Sequence, residues 1–317
     1  AERTDKYRKS PDYEAILEDF TAQLTDLDPP AEGPAEGPVT FIVGVPRSGT
    51  TLLYQALAAS GSFGYCSNVV ARFFRSPWVG ARVERILEPV LERGPFTWSS
   101  NAGLTDPWYE PHEFGYFWER HFPFDGDHQV SQEERSRLDG AQFARELGAL
   151  EAELGRPLLF KNVILDFALP VIDAWLERAR FVHIERDPML VAQSLYRTRL
   201  DYYGDADAWF SVRPAEVGDW AEAEPADQIA GQIARVLEAL ESARRRLDDD
   251  QWLSVTYAEL CEDPHATVER AVDFVGEGPE PALSEIPASF DPSDTLTLDG
   301  EVLDRLERAL HMKGVDL

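Results

Sequence analysis

The stretch VTFIVGVPRSGTTLLYQALAAS, from Val39 to Ser60, governs the reading of this chain. Its first part, VTFIVGV (Val39–Val45), is rich in β-branched residues and almost wholly apolar. That composition belongs to a strand buried on both faces of a parallel sheet. PRSGTTLLYQALAAS then reads as a glycine loop opening a helix. A strand, a glycine turn and a helix start in that order form a phosphate cradle, because backbone N–H groups and the positive helix end converge on one anion. The spacing of Gly44 and Gly49 is that of the nucleoside-triphosphate loop, yet Thr50 stands where that loop carries its lysine. The cation comes three residues earlier, at Arg47. The arrangement argues against ordinary ATP or GTP hydrolysis. It suits a shorter phosphate group held by the backbone at Gly49 and by Ser48, Thr50 and Thr51, with Arg47 beside the bridging atoms.

On either side, the pattern of elements predicts the architecture. FGYC (Phe63–Cys66), Pro157–Phe160, ARFVHIE (Ala179–Glu185) and Trp252–Tyr257 read as further strands. Helices are expected over Leu169–Arg178, after Asp187 with Pro188 at the first position, from Asp227 onward, after Asp263 with Pro264 at the first position, and over Leu298–Leu310 with Asp299 as cap. Strands alternating with helices imply an α/β three-layer sandwich with a central parallel sheet, which binds ligands at the C-terminal ends of its strands. Residues 1–38 are expected to form a leading helix over 1–27, from the spacing of Tyr13, Ile16, Leu17, Phe20 and Leu24, and then a Pro/Gly hinge over Asp28–Pro38. The main domain is expected over 39–317. A helical, aromatic-rich cap is inserted at about 67–155, with helical patches around Val79–Glu92 and Glu133–Gly155.

Composition narrows the function. The 317 residues include 30 Lys+Arg and 58 Asp+Glu, a formal net charge of −28, and 44% are hydrophobic. That is too apolar for a disordered chain. The acidity argues against binding nucleic acid or anionic lipid, so an anionic ligand requires a locally basic site. No apolar run approaches the roughly 20 residues of a membrane span. The polar start, AERTDKYRKS, predicts no signal peptide, and the expected location is cytoplasmic. Cys66 and Cys261 are too few for a disulfide framework or a zinc site, and the six histidines show no ligand spacing, so no metal is expected.

A second anion site is expected where FVHIE ends in Arg186, with Ser194 eight residues later on the following helix. An arginine fork and a serine hydroxyl can hold a terminal phosphate. Two separated phosphate sites on one sheet point to a nucleotide phosphorylated at both ends of its ribose. With these residues the chain resembles the sulfotransferases that use 3′-phosphoadenosine 5′-phosphosulfate (PAPS). In that family a P-[RK]-S-G-T-T loop holds the 5′-phosphosulfate, here Pro46–Thr51, and an R-D-P…S signature holds the 3′-phosphate, here Arg186, Asp187, Pro188 and Ser194. A later Tyr-x-[DE]-Leu…Asp-Pro segment is also similar, here Tyr257, Glu259, Leu260, Asp263 and Pro264, which adds Tyr257 to the donor-binding candidates. The resemblance implies a P-loop-like sandwich with about five strands. PAPS would be the donor, 3′-phosphoadenosine 5′-phosphate (PAP) the product, and no metal would take part.

Sulfuryl transfer by in-line attack calls for positioning, charge stabilisation and a general base. Lys161, at the end of its strand, and Arg47 are the candidates for stabilising charge. Glu113 and His112, with Glu110 behind them, are the candidates for the base, since an apolar setting can make a carboxyl group a usable base. The family uses Glu or His in different branches. A Glu common just after the second strand is absent here, where Ser67, Asn68 and Val69 follow Cys66. His183, inside its strand, reads as a core histidine. Tyr202, Tyr203, Trp209, Phe210 and Trp220 could stack on adenine, line an acceptor pocket or form a lid, and Arg197, Arg199 and Arg213 could assist either ligand. Arg244, Arg245 and Arg246 read as offsetting a helix dipole. The expected acceptor is a hydroxyl-bearing small molecule, a glycolipid or a carrier-bound acyl chain. The alternatives are a P-loop kinase or nucleotide hydrolase with a degenerate loop, and a non-catalytic nucleotide-binding module.

Overall fold

Five strands, β1 (Val39–Val43), β2 (Gly64–Tyr65), β3 (Leu158–Lys161), β4 (Ala179–Glu185) and β5 (Trp252–Thr256), pair in parallel in the order β2-β3-β1-β4-β5. The structure is a computed structural model that describes residues 1–24, 27–30, 33–122 and 124–317. Side chains alternate across the sheet with the strand period of two. On one face Phe41, Phe160 and Phe181 sit side by side, with ring centroids 5.7 and 6.0 Å from Phe41. On the other, Ile42, Leu159, Val182 and Ile184 form a separate core. Each such buried side chain contributes about 1.5–3 kcal/mol.

The first face is covered by helices Gly140–Leu154, Pro188–Tyr203, Pro225–Arg244 and Gly300–Met312, and the second by Thr50–Ala59 and Pro264–Val275. This is the expected three-layer α/β sandwich. β1 and β4 are neighbours, yet the helix after β1 goes to one face and the helix after β4 to the other. A crevice opens at such a switch of direction, and in open α/β sheets ligands bind there. No helix among the described residues is long and apolar enough to cross a membrane.

Several expected elements change. The leading helix is confined to Pro11–Ala22, with Ser10 Oγ accepting from the Tyr13 N–H at 3.4 Å. Pro11 at its first position, lacking an N–H, sets the start. Residues before it form an irregular strap with a single 3-10 turn at Asp5–Tyr7. Its expected apolar face is largely outward: Tyr13, Ile16 and Phe20 are exposed and only Leu17 and Thr21 are buried. Thr25, Asp26, Ala31 and Glu32, within the expected helix and hinge, lie outside the described residues. In place of the expected cap with two helical patches, over 67–155, the structure has helices Pro77–Leu87, Gly115–His121, Gln132–Arg135 and Gly140–Leu154, the last belonging to the layer that covers the sheet. Gly115–His121 has no sequence signal because its N-cap is Phe114, in a left-handed conformation (φ 58°), and packing of Phe117 and Trp118 holds it in place.

Candidate active site

The loop leaving β1 and the strand end of β4 touch. Two glycines permit the loop its shape. A Cβ at Gly44 (φ 152°) would come within 2.7 Å of the Ile184 carbonyl, and one at Gly49 (φ 103°) within 2.5 Å of Tyr257 Cδ2. Arg47 itself has φ 75°, a region costly for a residue with a Cβ. Its backbone is held because Arg186 Nη1 donates to the Arg47 carbonyl at 2.9 Å. Its side chain is held because Arg47 Nε donates to Ser194 Oγ at 3.1 Å. The Arg186 guanidinium lies over the Tyr257 ring, 4.3 Å from its centroid. Helix Thr50–Ala59 starts at Gly49 with no side-chain cap, and its first N–H groups have no intrahelical partner.

One cavity of about 790 Å³ joins these groups. Of the residues singled out above, Arg47, Gly49, Thr50, Thr51, Glu113, Lys161, Arg186, Ser194 and Tyr257 line it, as do Tyr202, Tyr203, Trp209, Phe210 and Arg213, but not Trp220. Lys161 is 4% exposed, pairs with the Glu113 carboxylate, and lies 3.2 Å from Thr51 Oγ1. The Glu113 backbone is fixed by Trp118 Nε1 and Asn162 Nδ2, which donate to its carbonyl at 2.8 and 3.1 Å.

Three candidates lie elsewhere. His112 is not on the cavity wall. Its Nδ1 accepts from the Phe114 N–H at 2.8 Å, and burial, then Arg72 and Lys9, push its pKa down to about 4. Glu110 is fully buried and accepts from Gln55 Nε2 at 2.9 Å and the Thr97 N–H at 2.5 Å. Ser48 lines a separate recess of about 490 Å³ beside His183 and Trp252. Two arginines considered as ligands are engaged by neighbouring segments. Arg199 is fully buried and donates to Gln228 Oε1 at 2.7 Å, and Arg197 reaches Thr297. His183 is buried, 3.3 Å from a Glu185 carboxylate oxygen. Arg244 and Arg245 pair with Asp249 and Glu241.

Sequence reading missed the wall formed by Trp98, Phe290, Asp291 and Ser293. Trp98 and Phe290 have ring centroids 5.2 Å apart. The Ser293 carbonyl accepts from Arg186, and its N–H donates to Tyr257 Oη at 3.2 Å. Neither Trp98 nor the 290–293 loop carries an apolar periodicity, and the Asp291–Pro292 turn signal marks a loop without saying what it faces. Asp166, also missed, is buried in the field of Lys161, and burial raises its pKa well above the usual carboxylate range.

The charge here opposes the net charge of the chain. Among the described residues, five basic side chains line the cavity (Arg3, Arg47, Lys161, Arg186 and Arg213) against three acids (Glu113, Glu119 and Asp291), while the whole chain carries −28. Burial, and then the neighbouring Arg186, lower the Arg47 pKa, and burial lowers that of Arg186. Two guanidinium groups held together against desolvation and mutual repulsion mark a place that an anion would stabilise. Among the described residues no group of three or more His, Cys, Asp or Glu could hold a metal ion.

Comparison with solved structures gives the same architecture. Sulfotransferase STF1 from Mycobacterium tuberculosis H37Rv superposes with a TM-score of 0.54 at 18% identity, covering 94% of this chain and 80% of its own. Sulfotransferase STF9 from Mycobacterium avium gives 0.53 at 17%, covering 96% and 82%. At these identities the likeness is one of fold. No curated protein matches the sequence. The model of the sulfotransferase family matches residues 38–280, a span that includes the β1 loop, Lys161, Arg186 and Tyr257, and the chain therefore belongs to the sulfotransferase family.

Proposed function

We propose that this protein transfers the sulfuryl group of PAPS to a hydroxyl acceptor. The observation that carries the reading is the Arg186–Arg47–Ser194 linkage, which joins two anion-binding motifs within one cavity. The first-turn N–H groups of Thr50–Ala59, Thr50, Thr51 and Arg47 would hold the 5′-phosphosulfate. Arg186 and Ser194 would hold the 3′-phosphate, with Tyr257 supporting Arg186.

In the transfer, the acceptor oxygen forms a new bond to sulfur as the bond from sulfur to the 5′-phosphate oxygen breaks. PAP leaves with the added negative charge, and the acceptor proton passes to a base. Glu113 is that base in our reading, because it is the carboxylate on the cavity wall that touches Lys161. Lys161 links the two events. In the free protein it holds Glu113, and charge developing on the leaving group would draw the ammonium away and release the carboxylate to take the proton. The acceptor is a small hydroxyl compound, a glycolipid or a carrier-bound acyl chain.

Calorimetric titration with PAP and with ATP–Mg²⁺ tests the donor, and mass spectrometry of hydroxyl compounds incubated with PAPS tests the transfer. PAP binding with sulfated product is expected. Binding of ATP–Mg²⁺ alone would make the protein a kinase-like nucleotide enzyme. PAP binding with no transfer to any acceptor, unaltered by Glu113→Ala, would make it a non-catalytic module.

A further inference from the structure

The donor groups occupy one part of the cavity. Helix Pro188–Tyr203 forms a wall running away from them. Ser194 sits beside Arg47, and Tyr202 follows eight residues later, about 12 Å along the helix axis. Around that end stand Tyr202, Tyr203 and Phe210, with the rings of Tyr203 and Phe210 4.9 and 5.3 Å from that of Tyr202. Arg3 and Arg213 line the same cavity. Neither forms an ion pair with a carboxylate among the described residues, and neither is used by the donor reading.

Both cations are set on pinned backbone. The Thr4 N–H donates to the Tyr202 carbonyl at 2.8 Å, and Thr4 Oγ1 donates to the Asp201 carbonyl at 2.9 Å. Tyr7 stacks on Tyr202 at 4.2 Å and bonds Asn101 of the cap at 2.5 Å. This strap sets the Arg3 guanidinium over the Tyr202 ring, 5.3 Å from its centroid. Arg213 is clasped by a cap residue in both directions. Its N–H donates to His128 Nδ1 at 2.7 Å, and its carbonyl accepts from the His128 N–H at 2.8 Å. Glu119, the cap acid on the same lining, lies in the field of Lys9.

In a chain this acidic, the Arg3 guanidinium over the Tyr202 ring and the exposed Arg213 on the same lining, neither ion-paired among the described residues, form a recognition element for a negative charge on a flat or apolar body. We infer that the acceptor carries, besides its hydroxyl, an anionic group read by Arg3 and Arg213, with its apolar body against the partly exposed Tyr203 and Phe210. Arg3 and Arg213 are then specificity determinants for the acceptor, remote from the transferred group. The inference rests on the donor reading, since it assigns the acceptor to the part of the cavity that the nucleotide leaves open.

The test uses the full chain saturated with PAP and two fluorescent hydroxyl compounds that differ only by a carboxylate, 6-hydroxy-2-naphthoate and 2-naphthol. A third probe, 6-hydroxynaphthalene-2-sulfonate, compares a tetrahedral with a planar anion. We expect at least one of the two anions to bind at least tenfold more tightly than 2-naphthol. Arg3→Gln and Arg213→Gln should each remove most of that advantage, with Arg3→Lys retaining part of it, while 2-naphthol and PAP affinities stay within about twofold. Equal affinity of all three probes, no binding of either anion, or an advantage that survives both substitutions would overturn the inference alone. Failure of PAP to bind the unaltered chain would instead remove the donor reading, and this inference with it.

Discussion

Arg186 and Arg47, 139 residues apart in the chain, meet through a hydrogen bond of 2.9 Å from a guanidinium nitrogen to a backbone carbonyl. The bond makes the tip of β4 a brace for the loop after β1. In the proposed reading, the arginine that would hold one phosphate also holds the loop that would cradle the other, so the two sites would be mechanically coupled.

Arg186→Ala should therefore weaken PAP binding by about 1.5–3 kcal/mol, roughly 10- to 150-fold, as loss of a charged hydrogen bond does. Arg186→Lys should fall between the two, because an ammonium cannot serve the carbonyl and a phosphate with one planar fork. Titration calorimetry measures this, and unchanged affinity in Arg186→Ala would contradict the 3′-phosphate assignment.

Glu113→Gln should lower kcat by about 10²- to 10⁴-fold, the usual range for loss of a general base, with PAP affinity preserved. Lys161→Ala should likewise reduce turnover more than donor affinity. Steady-state kinetics beside PAP titrations separate the two effects. Full turnover in Glu113→Gln would move the base to another group, with Glu119 on the same wall the first to try.

Gly49→Ala sets a Cβ 2.5 Å from Tyr257 Cδ2 at a backbone φ of 103°. The strain should cost about 1–3 kcal/mol of stability and impair PAP binding. Adding Tyr257→Ala should relieve the clash but not the backbone strain, so the double variant should recover only part of the stability measured by urea unfolding.

Glu84, in the cap helix Pro77–Leu87, has its pKa pushed up to about 7 by burial, which the hydrogen bond from Ser67 Oγ at 2.8 Å offsets only in part. Between its ordinary value of 4.5 and about 7 the folded chain binds a proton that the unfolded chain has released, so stability falls as pH rises through this window and is flat above it. Glu84→Gln keeps an acceptor for Ser67 and removes the charge. It should raise Tm above pH 7 and leave it unchanged below pH 4.5, as scanning calorimetry at both pH values can check.

The strands and most helix starts were legible because each is written in local chemistry. Val39–Val45 carries its burial in its composition. Asp187 with Pro188 and Asp263 with Pro264 carry their helix starts in capping chemistry, and the structure begins helices at Pro188 and Pro264. The cap was less legible. Helix Gly115–His121 has no capping residue and is imposed by aromatic packing, and the outward face of Pro11–Ala22 looked like a core face because periodicity cannot say what lies opposite.

The candidate site divides in the same way. That Glu113 meets Lys161 while His112, its immediate neighbour, turns to the Phe114 N–H follows from the left-handed turn at Phe114 and from the indole of Trp118. Adjacency in the chain gave no means of choosing between them. Arg199, one turn beyond Ser194 on a basic helix, is drawn into the core by Gln228 of another helix.

Local order along the chain was enough to establish an α/β sandwich with a glycine loop after its first strand and a basic residue at the tip of another, since short-range sterics, hydrogen bonding and apolar periodicity encode each element separately. Which carboxylate faces the lysine, which aromatics close the cavity and which arginines remain unpaired depended on segments that approach one another only after folding. Those choices come from competition among long-range packing and desolvation terms, and no single segment contains them.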